Sequence, residues 1–583
     1  MEQYRVVDFI VEFLEHKNIN SIFTVTGGGS IFINDAFSKS KSIQSIAHHN
    51  EQAASFAAEG YARMSNGLGV CVVTSGPGGT NTITGVLCSY QDSVPVLYIS
   101  GNVRKELTTN FTKSSLRQLG DQEFNISDFV KPITKLSLQL NSSDNLLDIL
   151  ERFYDEAING RPGPVWLDIP LDIQKTIVDK FDPLLLNKPE NKVNNFDSAF
   201  FLELITTAKK PLIIAGNGIR ISNCISEFEE LINKYNIPVV HSFNGIDLLD
   251  SSNKYNFGRI GIVGNIHANK IVQESDLIIA IGTRLYVRQI GYNLDSFGKN
   301  AKILHVDIDD NELNKSIVKS DYKICMDAGD FIKSILKENI NIDFNITNDR
   351  IKWMNRCLTI KKDNPIILDR HLISSPINPN GFLYQFSLHC PSKYNYVLSD
   401  GTANVTGSQV IQLKTNQRMF TNKGTAPMGY GLPAAIGASY AHPNIVCIEG
   451  DGSLQMNLQE LQTFIQNKQN IKLIILNNNG YLSIKITQKN LCSGNLHLSN
   501  PESGLTLPVY KKIAEAFGIT YYSIKSLEDT ENILSQLFSN DSPAILEVFL
   551  DENALHEPKI ITKIDEFGNF TNPEFDDIEW IQN

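Results

Sequence analysis

At 583 residues the chain is several times the usual domain length, so three or four domains are expected, each with its own core. Hydrophobic residues at 42% and charged residues at 20% describe a folded globular protein, not a disordered one. A net charge of −12, with no long basic run, argues against nucleic acid or an anionic membrane as a partner.

The segment from Met1 to Asn20 has an amphipathic helical pattern with Glu2, Arg5, Asp8, Glu12 and Glu15, and lacks the apolar core of a signal peptide. No later stretch approaches the length of a membrane span. The eight cysteines, at 71, 88, 224, 325, 357, 390, 447 and 492, contain no Cys-x-x-Cys pair, which fits reduced thiols and a cytoplasmic location.

Short β-branched runs then alternate with helical patterns. Ser21 to Val25, Gly69 to Ser75, Val94 to Ser100 and Val165 to Ile169 read as strands of a parallel sheet. The polar stretch 187–197 reads as a linker. A second region has strands at Pro211 to Gly216, Ile237 to His241, Asp276 to Gly282 and Lys302 to Asp307. After an irregular segment with Pro365, Pro376 and Pro379, a third has strands at Tyr396 to Leu398, Ile445 to Glu449, Ile471 to Leu476 and Ala544 to Phe549. The expected architecture is α/β, with three doubly wound parallel-sheet domains. The acidic tail beyond Leu550 is either disordered or folded over a site.

Two features of the third region carry chemistry. Gly450-Asp451-Gly452-Ser453 follows one apolar strand, and 24 positions further on a second strand ends in Asn477-Asn478-Asn479-Gly480. A strand, turn, helix and strand in this order bring both clusters to the carboxyl edge of a parallel sheet, where α/β proteins bind ligands. Asp451 offers a hard anionic oxygen and Asn478 an amide oxygen, while glycine allows close backbone approach, as a Mg²⁺ site open to diphosphate requires. The helix beginning after Gly452 adds N–H donors and a positive dipole end for the same anion. Taken alone, each half is as well explained by a tight turn and by the asparagine-rich composition.

Near the other end, His48-His49-Asn50-Glu51-Gln52 leads into the small-residue helix Ala53 to Arg63, followed by the glycine turn Thr74 to Asn81. A third element runs from Gly424 to Gly437 through Ala426, Met428 and Pro433. For Glu51 the plain alternative is an acid at a helix start, and for Glu59 a charge beside Arg63 at helical spacing; the second is adopted for Glu59.

Together these segments resemble the thiamine-diphosphate-dependent enzymes, and most closely the acetolactate synthase large subunit. The resemblance implies a pyrimidine-binding domain (1–180), a central domain (190–345), a diphosphate-binding domain (370–552) and a tail (553–583). It implies that Glu51 is catalytic, bonding the aminopyrimidine from apolar surroundings that raise its proton affinity. Asp451, Asn478 and the main-chain oxygen of Gly480 would hold Mg²⁺. Gly28, Glu51, Asn81, Thr402, Ala426, Met428, Gly450, Gly452, Ser453 and Tyr481 would contact thiamine diphosphate, with Met428 propping it into a bent shape. Phe124, Asn125 and Lys485 would face the substrate.

The chain departs from the family at Asn50, where a histidine is usual, at Gly120 to Asn125, and at Tyr481 to Gln488 after the metal loop. These departures resemble the branch acting in surface-polysaccharide and sugar-modifying pathways, whose acceptor is a keto-sugar. Gly258 to Gly264 and Gly282 to Arg288 resemble flavin-contacting loops, with Arg284 the main contact, and FAD is an even alternative. The expected reaction decarboxylates a 2-oxo acid, pyruvate first, and joins the acyl unit to a carbonyl acceptor. A plain decarboxylase and a non-catalytic relative are the alternatives. A homodimer or homotetramer is implied, with Ala53 to Ala62 within its interface. His241, His305 and His389 are read as structural or surface residues.

Overall fold

The computed structural model describes residues 4–143, 145–186, 196, 198–338, 344–564, 567 and 569–581; the linker expected at 187–197 lies almost wholly outside them. Three six-stranded parallel sheets account for the chain. The first contains β1 (Ser21–Thr24), β2 (Gln44–Ala47), β3 (Gly69–Val73), β4 (Val96–Asn102), β5 (Leu136–Gln139) and β6 (Val165–Pro170) in the order β2-β1-β3-β4-β6-β5. The second contains β7 (Pro211–Ala215), β8 (Val239–His241), β9 (Asn256–Arg259), β10 (Leu277–Ile281), β11 (Lys302–Asp307) and β12 (Tyr322–Cys325) in the order β12-β11-β10-β7-β8-β9. The third contains β13 (Asn395–Leu398), β14 (Met419–Phe420), β15 (Asn444–Gly450), β16 (Asn470–Asn477), β17 (Thr520–Ile524) and β18 (Ala544–Phe549) in the order β14-β13-β15-β16-β18-β17.

The first and third sheets therefore share one connectivity, and the middle sheet has the dinucleotide-fold order. In each, the chain reverses direction of growth at one point: between β1 and β3, between β7 and β10, and between β13 and β15. The loops leaving the carboxyl ends of those strand pairs splay apart and leave a crevice.

The helix Glu51–Ser65 starts where the Asn50 side chain accepts from the Gln52 N–H at 2.8 Å. Every residue from Ala53 to Arg63 is buried within the chain itself. Its partner is the helix Gly431–Ala441: a Cβ on Gly60 would lie 2.1 Å from the Ala434 carbonyl oxygen, and one on Gly437 only 1.8 Å from that of Ala57. This corrects the expectation that the small-residue face lies between subunits. It joins the first and third domains of one chain.

The tail folds. Strand Lys559–Ile560 pairs with Ile578–Glu579, the Ile560 N–H donates to the Ile262 oxygen at 2.8 Å, and Phe575 packs edge-on against Phe297 at 5.1 Å. Ile560, Phe575 and Ile578 thus complete the middle-domain core. Among the described residues, no helix is long and apolar enough to cross a membrane.

Candidate active site

The crevice of the third sheet is built by the loops after β13 and β15. Ser399 Oγ meets Ser453 Oγ at 3.0 Å, and Ser453 Oγ accepts from the Gly429 N–H at 2.8 Å, which draws the Ala426 to Gly429 segment onto the same point. Ala426 holds a left-handed φ of 52°, a conformation costly for alanine and usually kept at functional positions. Met428, half-buried, follows it. Gly450 precedes the single helical turn Asp451–Leu454. The longer helix expected beyond it is interrupted at Asn457 (φ −138°), whose amide donates to the Gly429 oxygen at 2.9 Å and to Gln52 Oε1 at 3.2 Å.

Asp451, Asn478 and Gly480 come together as expected. Asp451 Oδ2 accepts from the N–H groups of Asn478 (3.0 Å) and Gly480 (3.2 Å), and Oδ1 from that of Gly452 (2.8 Å). Among the described residues no cationic side chain pairs with this buried carboxylate, and burial pushes its pKa up to about 6 despite those donors. Asn478 Oδ1 is a buried acceptor with no donor. A buried carboxylate short of positive charge and an amide oxygen short of a donor are what a hard cation would satisfy. Gly480 must be glycine: its φ is 145° and a Cβ would strike the Ser499 oxygen at 2.3 Å. Likewise Gly452 has the Tyr481 ring 2.3 Å from where a Cβ would sit.

Thr402, at the start of the helix after β13, has its hydroxyl 3.1 Å from His556 Nε2, a tail residue that sequence reasoning did not connect to the site. Lys485 is buried, and its ammonium donates to the carbonyl oxygens of Asn478 and Glu552, each at 3.0 Å. It ties the Asn478 loop to the start of the tail.

The first sheet supplies the second half. Thr74 Oγ1 accepts from the Gly29 N–H at 3.0 Å, tying the loop after β1 to the loop after β3, and a Cβ on Gly28 would meet nothing within 4 Å. Glu51 Oε2 accepts from Asn81 Nδ2 at 2.9 Å. Glu51 is only half-buried in the single chain, so apolar enclosure of its carboxyl is not provided by its own subunit. Phe124 packs edge-on against Phe129 at 5.4 Å, and Asn125 caps the turn Ile126–Phe129, donating to Asp128 Oδ2 at 2.8 Å.

Two buried networks lock the domains together. His48 Nδ1 meets Glu460 Oε2 at 2.8 Å with both side chains wholly buried. Glu59 is fully buried, not a surface charge: it bonds Arg63 at 2.6 Å and accepts from Asn422 of the third domain at 2.9 Å, while Arg63 also pairs with Asp92 at 2.8 Å. The reading of Glu59 as an ordinary helical charge is thus corrected; the Arg63 pairing stands within the helix, but Glu59 is buried and also bonds across to Asn422 of the third domain. The links that cross between domains, His48 to Glu460 and Glu59 to Asn422, are not visible locally, because those partners lie hundreds of positions apart.

The crevice of the middle sheet is a half-open pocket lined by Asn217, Gly282, Arg284, Asp307 and Lys423, among others. A Cβ on Gly216 would lie 2.0 Å from the Gly282 oxygen, so the two turns at the reversal point touch through bare backbone. Arg284 Nη1 donates to the Gln91 oxygen at 2.9 Å. The Gly258 to Gly264 loop packs instead beneath the tail.

Two sheets of one connectivity, one carrying a glutamate bonded to Asn81 and the other a buried carboxylate beside an amide oxygen without a donor, fit an enzyme of the thiamine pyrophosphate class, and the chain belongs to that family. Residues 4–126 match the thiamine pyrophosphate enzyme N-terminal TPP binding domain, 199–335 the central domain and 400–548 the C-terminal TPP binding domain. Among curated relatives, acetolactate synthase of Arthrospira platensis is 31% identical over 92% of this chain and 93% of its own length. The acetolactate synthase large subunits of Lactococcus lactis (31%; 93% and 92%) and Buchnera aphidicola (32%; 94% and 95%) are similar over comparable spans.

Proposed function

We propose that the chain decarboxylates a 2-oxo acid, pyruvate first, and joins the acyl unit to a carbonyl acceptor, with thiamine diphosphate held through Mg²⁺. The donor loses its carboxylate as CO₂, a carbon–carbon bond forms to the acceptor carbonyl carbon, and the acceptor oxygen takes up a proton. The observation that carries this reading is the unpartnered Asn478 Oδ1 beside the cation-poor Asp451 carboxylate, at the reversal point of the third sheet.

Asp451, Asn478 and the Gly480 oxygen would hold the metal; Gly450, Gly452, Ser453, Thr402 and Tyr481 would border the diphosphate end, and Gly28 and Asn81 the pyrimidine end. The cofactor, when bound, supplies a carbon that adds to the 2-oxo group and stores the charge left by CO₂. Glu51 holds or gives a proton at its carboxyl, oriented by Asn81. Ala426 and Met428 shape the space between the two ends, and Lys485 fixes the metal loop through its carbonyls. Phe124 and Asn125 border the substrate entrance.

We place Glu51 of one subunit opposite Asp451 of a second. Supporting this are the half-open Glu51 and the exposed apolar side chains Ile31, Phe111, Met456 and Ile484, which a partner would cover. The middle pocket lies at that sheet's reversal point, where a nucleotide would be held, and FAD is the form the family likeness favours; a colourless protein that takes up no FAD would remove it.

The test is incubation with thiamine diphosphate, Mg²⁺ and pyruvate, alone and with 2-oxo acids and keto-sugars, with products identified by mass spectrometry. CO₂ release with a ligated product is expected. Free aldehyde alone would leave a decarboxylase, and no CO₂ would overturn the reading.

A further inference from the structure

The residue that breaks the helical run after Asp451 spends its side chain on two segments that serve the chemistry. Asn457 is 1% exposed, with φ −138° and ψ 35°. Its amide is used completely: Nδ2 donates to the Gly429 oxygen at 2.9 Å and to Gln52 Oε1 at 3.2 Å, and Oδ1 accepts from Gln459 Nε2 at 3.0 Å. Glycine at 429 is what admits it. The φ there is 77°, and a Cβ would lie 2.6 Å from Met456 Cβ and 3.0 Å from Asn457 Nδ2.

The chain is pinned on both sides of Asn457. Before it, Ser453 Oγ accepts from the Gly429 N–H at 2.8 Å. After it, Glu460 Oε2 meets His48 Nδ1 at 2.8 Å and Oε1 accepts from the His49 N–H at 3.0 Å. Thr463 Oγ1 adds bonds to Glu460 Oε2 at 2.8 Å and to the Ala47 oxygen at 3.3 Å. A buried amide with every donor and acceptor engaged, held between two anchored points, has one position to take, and so have the groups bonded to it.

Those groups are the neighbours of two residues of the proposed mechanism. Gln52 follows Glu51 in the first turn of the helix Glu51–Ser65, so a shift of Gln52 carries Glu51 with it, and Gly429 follows Met428. In the arrangement proposed above, Glu51 of a chain serves one site of a dimer, while Met428 and Asp451 of the same chain serve the other. The two neighbours gripped by Asn457 therefore belong to different sites.

We propose that Asn457 is a positioning residue for both active sites of the dimer at once, holding Glu51 of one site through Gln52 and Met428 of the other through Gly429. This rests on the carboligation reading and on the intersubunit placement of Glu51. Asn457 acts through its neighbours on geometry, so its loss should fall on kcat and not on KM for pyruvate.

Two measurements on the full-length chain test it. Without cofactor, Asn457→Ala should speed hydrogen–deuterium exchange on the order of tenfold in peptides spanning 51–56 and in those spanning 426–432, with exchange across β3 and β4 unchanged. For turnover with thiamine diphosphate, Mg²⁺ and pyruvate, dimers are formed from one chain carrying Asp451→Ala and another carrying Glu51→Gln. The one working site then has Glu51 from the first chain and Asp451 with Met428 from the second. Asn457→Ala added to the first chain alone, or to the second alone, should in each case lower kcat on the order of tenfold, with KM within about twofold. Gln52→Met removes only the acceptor that Asn457 uses in the first domain; it should reproduce the loss on the first chain and not on the second, and it serves if Asn457→Ala does not fold. Faster exchange in one segment only, a loss from one placement of Asn457→Ala only, or no loss from Gln52→Met on the first chain would overturn the proposal. A control dimer that stays inactive after verified subunit exchange overturns the intersubunit placement and the two-site role with it. If pyruvate releases no CO₂, the reaction reading fails, and the deuterium exchange still decides whether Asn457 holds both segments.

Discussion

Asn478 Oδ1, a buried acceptor without a donor, and the Asp451 carboxylate, buried without a paired cation, are two groups among the described residues that a cation would satisfy together. Asp451→Ala removes the one carboxylate, so cofactor affinity measured by calorimetry in Mg²⁺ should fall at least tenfold; unchanged affinity would place the metal elsewhere. Glu51→Gln keeps the shape and the Asn81 contact but not the proton, and turnover should drop on the order of 10²-fold or more with the circular dichroism spectrum unchanged. Near-normal turnover would remove Glu51 from the mechanism. At this scale the meeting of Asp451 with Asn478 and Gly480 was legible because its chemistry is contiguous: an acid between glycines, then asparagines after a strand. The Lys485 and His556 contacts were not, since each depends on a carbonyl or hydroxyl more than 60 positions away.

The twelve strands anticipated from apolar runs include every interior strand of the three sheets. The six that were not anticipated, β2, β5, β9, β12, β14 and β17, are the six sheet edges. An interior parallel strand is covered on both faces and must be apolar throughout, whereas an edge such as β12 or β2 alternates or is largely exposed and is read as loop. The helix anticipated after Gly452 was broken at Asn457 because that amide is diverted to Gly429 and Gln52, a tertiary demand invisible to periodicity. The pairing of Glu51–Ser65 with Gly431–Ala441 is a backbone contact at Gly60 and Gly437. Gly437→Ala should therefore cost about 1–3 kcal/mol by forcing the helices apart, seen as a lower thermal midpoint. A neutral effect would mean the two helices can slide without loss.

At the scale of the molecule, the site is divided between domains that the chain places far apart in sequence. Mixing inactive Glu51→Gln and Asp451→Ala proteins under subunit exchange should restore activity toward about half of normal per mixed dimer, because one site collects both lesions and the other neither. Verified exchange without recovery would put both halves of each site in one chain. Acid should loosen the whole assembly. His241, His267 and His556 are held neutral by burial, with pKa values pushed down to about 4, and Asp247 and Lys361 are the charges acting on His241. Stability from excluding those protons is complete above the ordinary value near 6.5 and is lost as pH falls toward 4, at up to about 1.4 kcal/mol per unit for each histidine. The thermal midpoint should fall from pH 7 to 5, and His241→Phe should flatten that fall; an equal slope in the variant would exclude His241 as a contributor.

The shared connectivity of the first and third sheets has a consequence for ligand shape. Two sheets of one frame offer two equivalent crevices, so a ligand with two unlike ends needs only that the loops after the strands differ. Asn81 beside Glu51 in one frame and Asp451 beside Asn478 in the other are then alternative decorations of a single architecture.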